Sequence, residues 1–420
     1  MIQQTIKHQK KDIPICIEIK ECRICTSKEL HDILNLGSQP PANSLRKKTD
    51  QSLPSVPLKL VQCSHCSAVQ LTATVDPAYL FSQYVWVTST SATARKYSEF
   101  FCEELLKRAA VKAPFVVEVA SNDGTFLKAF KEQGCSVLGV DPARNIAEKA
   151  NSIGIPTLAE FFDRTVARKI LAGHGRPNVV MARNVIPHVK EIHSIVEGLS
   201  AMIDSGGMVV IEFHYAKAIV EELHYDSIYH EHLFYFSIKS LGKLFEQYGL
   251  FPFDVFSSPI SGGSLVLFFS TAKKEQSFSL RELIETEKKD GLNQLSKWQE
   301  FGIESKKHAN ALKKTVSDYA KKGKLASYGA SARSSTLLNF AGISNQDIDF
   351  VIDCSPIKQG LLTPGTDIPI VSYEEGLGKL HGKDLLLLAW NFEEEIVQNL
   401  RLSGFRGDII VPLPNKVHIR

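Results

Sequence analysis

Three histidines, a glutamate and several tyrosines crowd into one stretch, H-Y-D-S-I-Y-H-E-H-L-F-Y-F-S, running from His224 to Ser237. Imidazoles supply a base near neutral pH and tyrosine hydroxyls donate to an oxyanion, so this mix suits proton abstraction beside a carbonyl. A metal site is the alternative, with His230 and His232 as ligands. If the stretch is extended, these two share a side and Glu231 lies opposite. Elsewhere, His188 and His193 read as structural or exposed.

A second constellation lies near the start of the chain. Cys22/Cys25 and Cys63/Cys66 form two C-x-x-C pairs, E-C-R-I-C-T and Q-C-S-H-C-S, with 37 residues between them. Each tight pair lets two thiolates point at one ion, and a single redox motif would explain only one of the two. Structural zinc is the reading favoured over a redox pair or disulfides. Four sulfurs leave no open position for substrate, so the metal has a folding role. His31 and His65 could replace a sulfur, but both read as exposed polar residues. Cys16, Cys102, Cys135 and Cys354 are scattered and read as buried apolar positions.

The chain that must position these groups has 420 residues, too many for one ordinary core. A net charge of +3 is too small by itself to imply nucleic-acid or membrane binding. The N-terminus lacks an apolar core segment and the longest apolar runs fall far short of a membrane span, so a soluble, cytoplasmic protein is expected. After a helical stretch around R-K-Y-S-E-F-F-C-E-E-L-L-K-R-A, the run P-F-V-V-E-V-A-S-N-D-G-T-F-L reads as strand, tight loop and helix. S-V-L-G-V-D-P, P-N-V-V-M-A-R-N-V-I-P-H-V and G-G-M-V-V-I-E-F follow as strands. Such alternation predicts a parallel, doubly wound sheet. Residues from about Leu280 to Lys322 read as charged helix, and a second alternating set starts at K-L-A-S-Y-G-A-S-A-R. The fold class is therefore α/β: a small N-terminal zinc-binding module over residues 1–80, a central unit over 81–275 and a second α/β unit over 276–420.

The central unit carries a nucleoside-binding pattern. Glu118 ends a strand, the loop Ala120, Ser121, Asn122, Asp123 and Gly124 opens a helix, and Asp141 ends the next strand. A carboxylate there can accept hydrogen bonds from two ribose hydroxyls. Ala120 and Asn122 stand where a dinucleotide fingerprint has glycines, so no pyrophosphate cradle is evident. That tilts the choice from NAD toward S-adenosylmethionine.

Taken in order, the double C-x-x-C module, V-V-E-V-A-S-N-D-G-T-F-L, V-L-G-V-D-P, A-R-N-V-I-P-H-V, D-S-I-Y-H-E-H-L-F-Y-F-S, S-G-G-S-L, Y-G-A-S-A-R-S-S-T-L-L-N-F and I-D-C-S-P-I-K-Q-G resemble the S-adenosylmethionine-dependent sugar C-methyltransferases of deoxysugar biosynthesis. The resemblance covers nearly all of the chain after about residue 20. It implies two Rossmann-like units, a central methyltransferase domain and a C-terminal one, and a dTDP- or GDP-linked 4-keto sugar as substrate, methylated commonly at C3. It also implies His232 as base, with Tyr229 and Glu231 near the sugar and Tyr84 as a further candidate. Glu118, Ala120, Asn122, Asp123, Gly124 and Asn184 would line the methyl-donor site, with Asp141 on its ribose. The second unit would hold the nucleotide diphosphate through Tyr328, Ser331, Arg333 and Lys358. Ser261, Val266 and Arg333 depart from residues common in the family. A monomer is expected, with no nucleic-acid or membrane partner. A zinc-ribbon nucleic-acid methyltransferase is the competing class, but Arg23, Lys28, Arg46, Lys47 and Lys48 are too few and scattered for a basic stripe. A non-catalytic protein is a third reading.

Overall fold

The computed structural model describes residues 16–51, 53–81, 88, 92–259 and 262–420. In the N-terminal module, strand Leu30–Gln39 pairs antiparallel with Val56–Cys63, which pairs with Val69–Leu71. The outer strand on the other side of Val69–Leu71 comes from far along the chain: Phe234–Tyr235, inside the histidine-rich stretch. Cys16–Glu18 pairs separately with Ala73–Val75.

The central sheet has seven strands, in the order Phe251–Ser258, Ser264–Ser270, Met208–His214, Val179–Arg183, Phe115–Val119, Ser136–Val140 and Thr157–Leu158. Five are parallel, and Ser264–Ser270 and Phe251–Ser258 close one edge as an antiparallel hairpin. Parallel strands are covered on both faces, which is why Val116 packs with Phe101 and Phe126 while Val117 and Val119 pack with Val196 and Leu199 on the other side.

The C-terminal unit repeats the design with six strands, ordered Ile370–Val371, Ile348–Ile352, Leu325–Tyr328, Leu385–Leu387, Ile409–Val411 and His418–Ile419; only the last is antiparallel. The charged stretch before it is two helices, Phe278–Lys289 and Leu295–Ala320, because Gly291 takes a left-handed φ of 65° and ends the first. The longer helix runs against the zinc module: a Cβ on Gly302 would stand 2.3 Å from the Ile33 carbonyl oxygen. Arg46 of the module also pairs with Asp367 of the C-terminal unit at 2.7 Å. Among the described residues no helix is long and apolar enough to cross a membrane.

Candidate active site

The four cysteines come together. Cys22 and Cys66 sulfurs lie 3.5 Å apart, as do Cys25 and Cys63, and all four fall within 4.8 Å of one another. A tetrahedron of thiolates about 2.3 Å from zinc has edges near 3.8 Å, so the set fits that ion. The Cys66 thiol favours a thiolate at Cys22, pushing it down to about 4, while burial pushes Cys25 up to about 11. Without a cation the four cannot all ionise, and a divalent metal is what would hold them so. His31 and His65 are exposed and outside the cluster.

At the central sheet, Ala120, Asn122 and Gly124 have φ of 56°, 51° and 77°, bending the loop tightly into helix Thr125–Glu132. Asp141 accepts from the backbone N–H of Asn122 and of Ala143, both at 2.9 Å. Burial nevertheless raises its carboxyl. Glu118 is buried and pushed up to about 8 by that burial, and its Oε2 has no hydrogen-bond partner among the described residues. Arg183 lies 3.6 Å from Glu118 and 2.8 Å from Glu212, over the Phe126 ring. Asp123 bonds Thr125 at 2.6 Å and faces Lys149, so it anchors the helix start. Asn184, with φ 50°, ends the next strand and donates to the Glu212 carbonyl.

The histidine-rich stretch is not extended. A short 3-10 turn, Tyr225–Ser227, is followed by a turn in which His232 N–H bonds the Tyr229 carbonyl at 2.9 Å. The expected shared side of His230 and His232 is thereby lost: His230 reaches the Val56 carbonyl of the zinc module at 3.1 Å, while His232 meets the Tyr229 hydroxyl through Nε2 at 2.8 Å. His232 Nδ1 lies 3.2 Å from the Ser227 carbonyl, which can only accept, so Nδ1 carries the proton and Nε2 the lone pair. Glu231 accepts from Asn43 of the zinc module at 3.0 Å. Tyr84 lies outside the described residues.

His188, read from sequence as structural or exposed, instead packs edge-on against His232 with ring centres 4.6 Å apart. Burial drives it down to about 4. Burial, reinforced by His188, His214 and Arg333, holds His232 well below the ordinary imidazole range. His193, by contrast, is structural as expected, bridging Tyr248 and the Arg23 carbonyl.

In the C-terminal unit Gly329, with φ 100°, leads from strand Leu325–Tyr328 to Ser331, which caps helix Ala332–Ala341. Lys358 bonds the Ala330 carbonyl at 2.9 Å and Asp353 at 3.2 Å. Tyr328 meets Cys354 at 3.3 Å. Arg333 grips Asp226 through two bonds, at 3.0 and 2.9 Å, and lies over the Trp390 ring. Its guanidinium therefore ties the C-terminal unit to the histidine-rich stretch.

Sequence profiles of three families match along the chain: a zinc binding domain at residues 22–81, a methyltransferase domain at 93–251 and a C-methyltransferase C-terminal domain at 259–414. The C-methyltransferase NovU of Streptomyces niveus is 33% identical over 404 residues, spanning 94% of this chain and 96% of its own. The chain belongs to the C-methyltransferase family. As a C-methyltransferase it uses S-adenosylmethionine and carries structural zinc. The small-residue loop, the orphaned Glu118 Oε2 and the amide-held Asp141 suit the donor's ammonium and ribose. Among solved structures, magnesium protoporphyrin IX methyltransferase (ChlM) from Synechocystis PCC 6803 with bound SAM shows 12% identity and a TM-score of 0.33, covering 43% of this chain and 80% of its own. A Pyrococcus horikoshii OT3 protein reaches 15% and 0.37, covering 46% and 99%. Overlap this partial carries no weight here.

Sequence reasoning on this C-methyltransferase missed His188 and the partners of Arg333, namely Asp226 and Trp390. Trp390 Nε1 donates to Asp226 at 2.9 Å, across 164 residues of sequence. Only the density of histidines and aromatics in the region could have signalled it.

Proposed function

We propose that the enzyme methylates a carbon, C3, of a nucleotide-linked 4-keto-deoxysugar through an enolate generated by His232. The observation that carries this reading is the Tyr229–His232 pair, in which the Ser227 carbonyl fixes the tautomer that leaves Nε2 able to take a proton. S-adenosylmethionine supplies the electrophilic methyl group and leaves as the neutral thioether. The Tyr229 hydroxyl occupies the Nε2 lone pair at rest. When a ketone enters, the hydroxyl turns to the C4 oxygen, which frees Nε2 and gives the developing oxyanion a donor in one motion. His232 then takes the C3 proton, the electron pair moves onto the C4 oxygen, and C3 of the resulting enolate attacks the methyl. Because burial, reinforced by Arg333, keeps His232 neutral, the base form is present at pH 7. Glu118 and Asp141 hold the methyl donor, and Glu231 is placed beside the sugar. The diphosphate lies at the start of helix Ala332–Ala341, with Lys358 supplying positive charge beside it. Arg333 serves as a strut to Asp226 more than as a phosphate ligand.

Labelled S-adenosylmethionine and a panel of nucleotide-linked 4-keto-6-deoxy sugars, read by mass spectrometry, test the substrate class; no methyl gain with any member overturns it. His232→Ala is expected to lower turnover about 1,000-fold and to abolish C3 proton exchange in deuterated water. Wild-type rates of both would show that another group is the base.

A further inference from the structure

Three polar groups beside the catalytic stretch, the buried His224 and Ser264 and the partly buried His214, have no part in the chemistry above. His214 ends its strand directly opposite Ser264 on the antiparallel neighbour, so the two side chains share a face. His224 lies with its ring centre 5.8 Å from that of His214 and 4.9 Å from that of Trp390. His214 Nε2, His224 Nδ1 and Ser264 Oγ have no hydrogen-bond partner among the described residues. His224 is 0% exposed. Native interiors rarely leave several such atoms unpaired in one place, and a polar ligand is the usual reason. The group borders the catalytic stretch: His224 opens that stretch, and a Cβ on Gly262, two residues before Ser264, would lie 3.7 Å from the His224 ring.

We propose that His214, His224 and Ser264 read the sugar ring, hydrogen-bonding the substituent carried by the reacting carbon and selecting a hydroxylated sugar over an amino sugar. This rests on the nucleotide-sugar reading above. The charge around the group decides the preference. Arg333 is fixed beside it, and the neutralising Asp226 is already filled by two guanidinium bonds and the Trp390 N–H. Burial and Arg333 keep both imidazoles uncharged, His224 falling to about 4. A substrate ammonium placed there would meet a guanidinium and find Asp226 spent. The other carboxylate at hand is Glu222, half-exposed, which lies 3.0 Å from His224 Nε2 without lining up for a hydrogen bond. A neutral hydroxyl both donates and accepts, matching imidazole nitrogens and a serine hydroxyl.

The test uses zinc-loaded, full-length enzyme and two nucleotide-linked 4-keto-6-deoxy sugars that differ only in hydroxyl or amino at the methylated carbon. Wild type is expected to favour the hydroxyl sugar at least tenfold in kcat/KM. His214→Leu and His224→Leu should each lose about tenfold on that sugar, mainly in KM, with S-adenosylmethionine affinity unchanged. His224→Asn should recover part of the loss, and His224→Asp should move the preference about tenfold toward the amino sugar. Should a leucine variant fail to bind the methyl donor, the asparagine and aspartate variants decide. A wild type that prefers the amino sugar, or variants that bind the donor and keep the wild-type ratio, overturns the inference while leaving the nucleotide-sugar reading intact. A wild type that methylates neither sugar takes both down.

Discussion

Asp141 in the central unit and Asp353 in the C-terminal unit end the second strand of their sheets and are held by the same pair of bonds. One comes from the loop after the first strand, Asn122 N–H or Ala330 N–H; the other comes from two residues further on, Ala143 N–H or Ser355 N–H, all at 2.9 Å. The backbone solution is shared, and the charge is not. Lys358 joins Asp353 and the Ala330 carbonyl, whereas no cation among the described residues bears on Asp141. The central unit adds further acid at Glu118 and Glu212 around the single Arg183, while the corresponding strand of the C-terminal unit ends in Ser327 and Tyr328. One framework thus yields a crevice walled by acid and another in which a lysine offsets it; on the proposed reading the first suits hydroxyls and ammonium and the second phosphate.

The difference can be broken at the acid end first. Glu118 has its folded value raised from 4.5 to about 8, so its contribution to stability is complete below pH 4.5 and disappears as pH climbs through 8. Thermal melts should show wild type losing stability between pH 5 and 8.5, by an amount on the order of a few kcal/mol, and Glu118→Gln should flatten that slope. An equal slope in the variant would assign the pH dependence to other groups. Asp141→Asn is the next largest: calorimetric titration should find donor affinity about 30-fold to 100-fold weaker, with the sugar-nucleotide KM within about twofold of wild type. Lys358→Met keeps the stem and removes the charge. It should raise the sugar-nucleotide KM about tenfold and leave donor affinity alone. If it weakens both ligands alike, the two crevices are not separate sites.

What could be read in advance was whatever depends on neighbours in sequence. The C-x-x-C pairs announce their ion because two thiolates two residues apart already point together, and the loop from Ala120 to Gly124 announces its crevice because small residues between strand and helix have few other uses. The architecture followed from alternation, and the charged stretch is helical as read, divided in two at Gly291. The active-site wall was hidden for the opposite reason. His188, His214 and His224 come from three different elements, and Arg333 finds Asp226 across 107 residues. No periodicity links such positions. The extended reading of Tyr229 to His232 failed because the Tyr229 carbonyl takes the His232 N–H and closes a turn, a bond that strand alternation cannot anticipate.

The two-residue strand Phe234–Tyr235 is too short to hold itself, and it is clipped to Val69–Leu71 of the zinc-bearing module, with Asn43 and the Val56 carbonyl catching Glu231 and His230 on the way. Tyr229 and His232 therefore inherit their placement from the zinc-bearing module. A protein engineer who transplants the central unit alone would carry over the donor crevice and the histidine segment but leave behind the clasp that positions that segment. The portable unit of catalysis is the histidine segment together with its metal-stapled clasp, and a recombined enzyme should work only when both are taken from the same parent.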